Sequence, residues 1–125
     1  MKMTNSAVDK VAGILLGVKL TAFKDKAVRD ILLKDYLAVR KEAKAMGEEQ
    51  SELVNKFNAD WKDNRESEEY RRALQDLNDT IRGIMEREVE VAITPVGMDA
   101  FMDEIKDDHL TFEQIAILAE NGLLT

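Results

Sequence analysis

The sequence predicts a mainly α-helical protein, a multi-helix bundle with two long amphipathic helices and a small two-stranded β ribbon. Two long stretches place apolar residues at steps of three and four, which puts them on one helical face. Two short segments, residues 1–4 and 88–93, instead alternate apolar and polar residues with period two. A single strand cannot stand alone, so we expect these two segments to pair.

The two long helices are predicted over about 25–46 and 67–87. We expect the first to end at Gly47, because glycine commonly follows the last turn of a helix. The second is expected to begin at Ser67. The apolar residues of the first stretch are Val28, Ile31, Leu32, Tyr36, Val39, Ala43 and Met46, and those of the second are Tyr70, Leu74, Leu77, Ile81, Ile84 and Met85.

Shorter helices are predicted from their capping residues. Asn5 and Ser6 precede an apolar helical pattern near the amino terminus. Thr94 followed by Pro95 is typical of an N-cap and a first helical residue. Thr111 with Gln114 three residues later predicts a capping box, and 121–122 (Asn-Gly) predicts the end of that helix.

Length and composition predict one helical domain, residues 1–125. The chain has 125 residues and no cysteine, which excludes disulfides and thiolate metal sites. Its apolar runs, such as residues 14–16, are far too short to cross a bilayer, and no signal-peptide core is visible. We therefore expect a cytoplasmic protein without membrane association.

Charge is divided unevenly along the chain. The net charge is −7, yet residues 1–46 contain ten Lys/Arg against five Asp/Glu, and the remainder contains eight against twenty. The acidic balance argues against non-specific nucleic-acid binding, which needs a basic face. We expect the two parts to complement each other within the fold or between subunits.

The layout resembles a family of small, mostly helical proteins of unknown function that are encoded by tailed bacteriophages and prophages. The resemblance implies a phage origin and a helical fold with a small strand pair, and it brings no catalytic residues. The segments that carry it are residues 1–5, 14–20, 26–29 and 88–93 and the capped helix from Thr111.

Two acidic clusters leave an enzymatic alternative open. They are Glu48, Glu49 and Glu52, and Asp76 with Asp79. They look like the acidic signature of MazG-type all-α nucleotide pyrophosphohydrolases, in which two such clusters hold magnesium. The second cluster begins with Asp where that family has Glu. The first directly follows Gly47, where acidic residues suit the start of a helix for electrostatic reasons alone.

Other polar and aromatic groups favour structural interpretations. The run 107–109 (Asp-Asp-His) is expected to be a solvated loop, since three adjacent side chains do not readily converge on one ion. Phe57, Trp61 and Tyr70 favour packing in a helical hairpin over a binding surface. Mimicry of nucleic acid by the acidic residues 47–125 remains a third alternative.

No set of reactive side chains identifies a reaction, a cofactor or a metal site. We therefore interpret the sequence as that of a non-enzymatic structural or interaction protein, with a protein partner or a second copy of itself as its target.

Overall fold

The described residues form five α-helices and one antiparallel two-stranded ribbon. The computed structural model describes residues 1–19, 23–105 and 110–125. The elements are β1 (Lys2–Thr4), α1 (Asn5–Leu16), α2 (Lys26–Asp60), α3 (Glu68–Glu86), β2 (Glu88–Glu90), α4 (Met98–Glu104) and α5 (Phe112–Glu120). The predicted mainly α-helical class and the ribbon near both predicted segments are confirmed.

The ribbon joins the start of the chain to the end of α3. Met3 of β1 faces Val89 of β2, and Lys2 lies opposite Glu90, so one pair combines opposite charges. The amino group of Met1 extends the pairing, because it donates to the Glu90 carboxylate at 2.8 Å and to the carbonyl oxygen of Val91 at 2.9 Å. This contact lowers the pKa of Glu90.

The core lies between α1, the first half of α2, the ribbon, α4, α5 and the carboxy-terminal residues. Its centre is closely packed, with Phe23 and Phe101 ring centroids 6.2 Å apart. The buried members of the core are Met3, Val8, Val11, Ile14, Leu15, Phe23, Val28, Leu32, Val39, Val91, Val96, Phe101, Ile105, Leu118, Leu123 and Leu124.

Helix α2 is much longer than predicted, since it has 35 residues and continues through Gly47. The expected end of the first helix at Gly47 is therefore wrong. A glycine inside a helix costs about 1 kcal/mol relative to alanine. The apolar stripe nevertheless continues on both sides of it, with Met46 buried and Leu53 half-buried. We attribute the continuity of the helix to packing of this stripe against α3, which outweighs the local propensity.

The second half of α2 and most of α3 form a hairpin that we call the helical arm, residues 47–83. Its turn, residues 61–67, is mostly polar, and the Ser67 hydroxyl caps α3 by accepting from the backbone N–H of Tyr70 at 3.1 Å. No residue of the arm belongs to the buried core. Its apolar side chains are half-buried in the seam between the two helices.

The segment between β2 and α4 is extended, so the predicted N-cap at Thr94 and Pro95 is wrong. α4 begins instead at Met98, after Gly97. The backbone N–H of Thr94 is bound by a side chain of α2, and the N–H of Val96 donates to the carbonyl oxygen of Leu123 at 2.8 Å. These bonds attach the segment to α2 and to the carboxy-terminal residues.

The predicted capping box and helix end of α5 are confirmed. The Thr111 hydroxyl accepts from the backbone N–H of Gln114, and the Gln114 side chain accepts from the Thr111 N–H in return. Gly122 follows the helix at φ 81°, a left-handed conformation that glycine adopts without steric cost. The chain then turns back so that Leu124 can pair with Val96.

Among the described helices, none combines the length and hydropathy that crossing a bilayer requires.

Phe101→Ala should destabilise the protein by about 3–5 kcal/mol, because it opens a cavity at a side chain with no exposed surface. Phe112→Ala is the matched control, since Phe112 is 91% exposed and its loss should change stability by less than about 0.5 kcal/mol. Urea unfolding followed by circular dichroism measures both. Equal effects would contradict the assigned core.

Candidate functional site

A buried carboxylate lies within the apolar face of α2. Asp35 follows Leu32 by three residues and precedes Val39 by four, so it occupies a core position of the helix. Its side chain is 1% exposed. A carboxylate at such a position is costly to bury unless it is neutralised or hydrogen-bonded.

Asp35 binds the extended segment that precedes α4. Its Oδ1 atom accepts a hydrogen bond from the backbone N–H of Thr94 at 2.9 Å. Its Oδ2 atom is buried and has no hydrogen-bond partner among the described residues. The Oδ1 atom thus fixes the position of the segment relative to α2. The Oδ2 atom is removed from water without gaining a hydrogen bond in exchange.

Burial raises the pKa of Asp35 from 3.8 to about 6, and the hydrogen bond from Thr94 opposes this shift. The folded protein therefore binds the Asp35 proton more tightly than the unfolded chain does. Proton binding by Asp35 therefore stabilises the folded state below about pH 4, and this stabilisation is lost as pH rises through about 6. At neutral pH the carboxylate is charged and destabilises the folded state.

The far end of the helical arm carries three aromatic side chains. Phe57 and Tyr70 have ring centroids 5.6 Å apart, and Trp61 meets Tyr70 edge-on at 5.7 Å. All three are half-buried. They join α2 to α3 beside the turn, as expected for hairpin packing, and their remaining surface stays accessible to a partner.

The base of the arm contains a small polar cleft. Arg87 forms an ion pair with Glu49 there, next to the half-buried Glu42. Asn5 also lines the cleft, and its Nδ2 atom donates to the carbonyl oxygen of Ile84 at 2.8 Å. These contacts connect α1, α2 and the end of α3, so the chemistry of the cleft is that of a structural junction.

The structure places the two predicted acidic clusters on different helices of the arm. Glu48, Glu49 and Glu52 lie within α2, so the expectation that they open a new segment is wrong. Asp76 and Asp79 lie on exposed positions of α3, and an Asp79 oxygen lies 3.8 Å from Arg82. Within residues 1–19, 23–105 and 110–125, no three carboxylate or imidazole groups are arranged to hold one metal ion.

Residues Asp107, Asp108 and His109, interpreted above as a solvated loop, lie outside the described part of the chain. An apolar cavity of about 170 Å³ lies between α1 and α2. Its lining residues are Leu15, Leu16, Val18, Phe23, Leu32, Leu33 and Tyr36.

The comparisons with known proteins find no match. No family model, no curated protein and no solved structure is significantly similar to this chain. The functional interpretation therefore depends on the geometry described above.

Sequence reasoning missed Asp35. A signal was present, because Val28, Leu32, Asp35 and Val39 follow each other at steps of four, three and four. A carboxylate within such a stripe indicates a buried polar contact. The sequence did not indicate its partner, a backbone N–H distant in the chain.

Asp35→Asn should remove the pH dependence that this carboxylate causes. The variant keeps an oxygen for the Thr94 N–H but cannot ionise. The free energy of unfolding of the variant minus that of the unmodified protein should rise by up to about 3 kcal/mol from pH 4 to pH 7. A pKa change of about two units corresponds to that energy. Urea unfolding at both pH values measures the change.

Asp9→Asn is the control for this experiment. Asp9 is exposed on α1, so its replacement should leave the relative stability nearly equal at the two pH values. A difference for Asp35→Asn that does not vary with pH would contradict the assigned titration.

Proposed function

We propose that the protein is a non-enzymatic interaction protein of the tailed-phage and prophage type. It would act in the host cytoplasm through contacts that its helical arm makes with another protein or with a second copy. The observation that carries this proposal is the arm itself. It consists of the second half of α2 and most of α3, which are regularly patterned yet contribute no residue to the buried core.

The geometry of the arm suits protein contacts. The full α2 helix is about 52 Å long at 1.5 Å per residue, so its second half extends well beyond the residues that fold the core. Apolar and aromatic side chains that are only half-buried can lose further surface on binding. Aromatic residues are the groups most often responsible for binding energy at protein interfaces.

The phage-type assignment rests on the sequence resemblance alone. The genes beside this one test it directly. Capsid, tail or prophage-regulation genes are expected there, whereas genes of nucleotide metabolism would instead favour the pyrophosphohydrolase alternative.

Site-specific photo-crosslinking tests whether the arm is the contact surface. A photoreactive amino acid at Gln75, exposed on α3, or at Ser51, exposed on α2, should yield protein adducts in the cells that produce the protein. The same group at Ala100, exposed on α4, should yield few. Mass spectrometry of the adducts identifies the proteins bound.

Two variants of the crosslinking protein provide matched controls. Leu77→Asp places a charge in the half-buried seam and should abolish the Gln75 adducts by separating the two helices. Asn78→Asp adds the same charge at an exposed neighbouring position and should preserve them. Absence of adducts at both Gln75 and Ser51, or yields there no higher than at Ala100, would contradict the proposal.

Magnesium and a panel of nucleotides test the enzymatic alternative. Because the acidic residues are not assembled into a metal-binding group, we expect no release of pyrophosphate and no magnesium-dependent change in melting temperature. Magnesium-dependent hydrolysis that Glu49→Gln abolishes would overturn the non-enzymatic assignment.

A further inference from the structure

The outward face of α2 reverses its charge at the middle of the helix. On the amino-terminal side of Gly47 the exposed charged residues from position 34 onward are all basic, and from Gly47 to position 52 they are all acidic. The basic residues are Lys34, Arg40, Lys41 and Lys44, and the acidic residues are Glu48, Glu49 and Glu52.

Most of these charges are not used inside the fold. Glu49 pairs with Arg87, but Lys41, Lys44, Glu48 and Glu52 form no ion pair with any described residue. Lys44 precedes Glu48 by four residues, the less favourable order for a pair within one helix. The two blocks are therefore available to an external partner.

A glycine, Gly47, lies at the reversal point. Gly47 has no side chain, and a Cβ atom built there would meet nothing within 4 Å. A side chain would therefore fit at this position, and crowding by the described residues does not account for the glycine. Gly47 lines a shallow groove on this face together with Lys44, Glu48, Ser51, Glu52 and Asn55.

We propose that α2 pairs with α2 of a second copy, antiparallel and crossing near Gly47, to form a two-fold symmetric dimer. This inference rests on the proposed interaction function and names a second copy as a partner. A two-fold axis near the crossing places Lys44 opposite Glu48 of the second copy and Lys41 near its Glu52. The symmetry repeats both pairs, as a self-complementary interface requires.

The charge pattern favours a second copy over other partners. A parallel arrangement would place like charges together, and nucleic acid would attract the basic block while the acidic block repels it. A partner surface attracts both the basic and the acidic block only if its own charge also reverses over the same length of helix. A second copy in antiparallel orientation meets this requirement without further assumptions.

The same face includes apolar surface that the dimer would cover. Leu37 is 50% exposed and Leu33 is 38% exposed, both on the amino-terminal side of Gly47. Exposed ion pairs contribute only about 0–1 kcal/mol each, so the charges set orientation more than affinity. We therefore expect a weak dimer that dissociates as salt concentration rises.

Complementary charge variants test the dimer by sedimentation velocity at low ionic strength. Lys41→Glu with Lys44→Glu makes the paired positions 41, 44, 48 and 52 all acidic, and Glu48→Lys with Glu52→Lys makes them all basic. Each double variant alone should be monomeric because two copies would repel each other. An equimolar mixture of the two should dimerise at least as strongly as the unmodified protein.

Lys10→Glu with Lys19→Glu is the control for the Lys41→Glu/Lys44→Glu variant, because it makes the same change in net charge at exposed positions elsewhere. The control should still dimerise, and circular dichroism should show that every variant folds. A monomeric unmodified protein, a dimer that persists in either face variant, or a mixture that stays monomeric would overturn the inference. A monomer that still gives adducts at Gln75 with another protein would refute the dimer and leave the proposed function intact.

Discussion

The structure depends on the continuity of α2. One face of this helix packs in the core through Val28, Leu32 and Val39, and the same face then continues into the seam of the arm through Leu53 and Phe57. Core and arm therefore share a single rigid element. A break at Gly47 would disconnect them, and packing on both sides of that residue keeps the helix intact.

Much of the secondary structure could be predicted from the sequence, because its signals are local. The alternation in residues 88–93 predicted a strand, and Ser67 and Thr111 predicted the starts of α3 and α5. The errors arose where distant contacts decided the outcome. Thr94 and Pro95 have the residue types of a helix start, yet their segment is held extended by Asp35 and Leu123, which no local pattern identifies.

The candidate site was less predictable than the fold. The aromatic cluster of the arm was visible in sequence, and its hairpin packing was expected. The acidic residues have the spacing of metal ligands on helices, but spacing along a helix does not indicate which helices meet. For Asp35 the sequence shows a carboxylate within the apolar stripe. Its burial and its hydrogen bond to a distant backbone N–H are visible only in the structure.

The regular seam of the arm also determines how its length can change. Two helices remain in phase only when each gains or loses whole seven-residue units, about 10.5 Å of length at a time. Because the arm contributes nothing to the buried core, such a paired deletion would leave the core contacts untouched. The arm can therefore be lengthened or shortened in discrete steps of this size while the base that supports it stays the same.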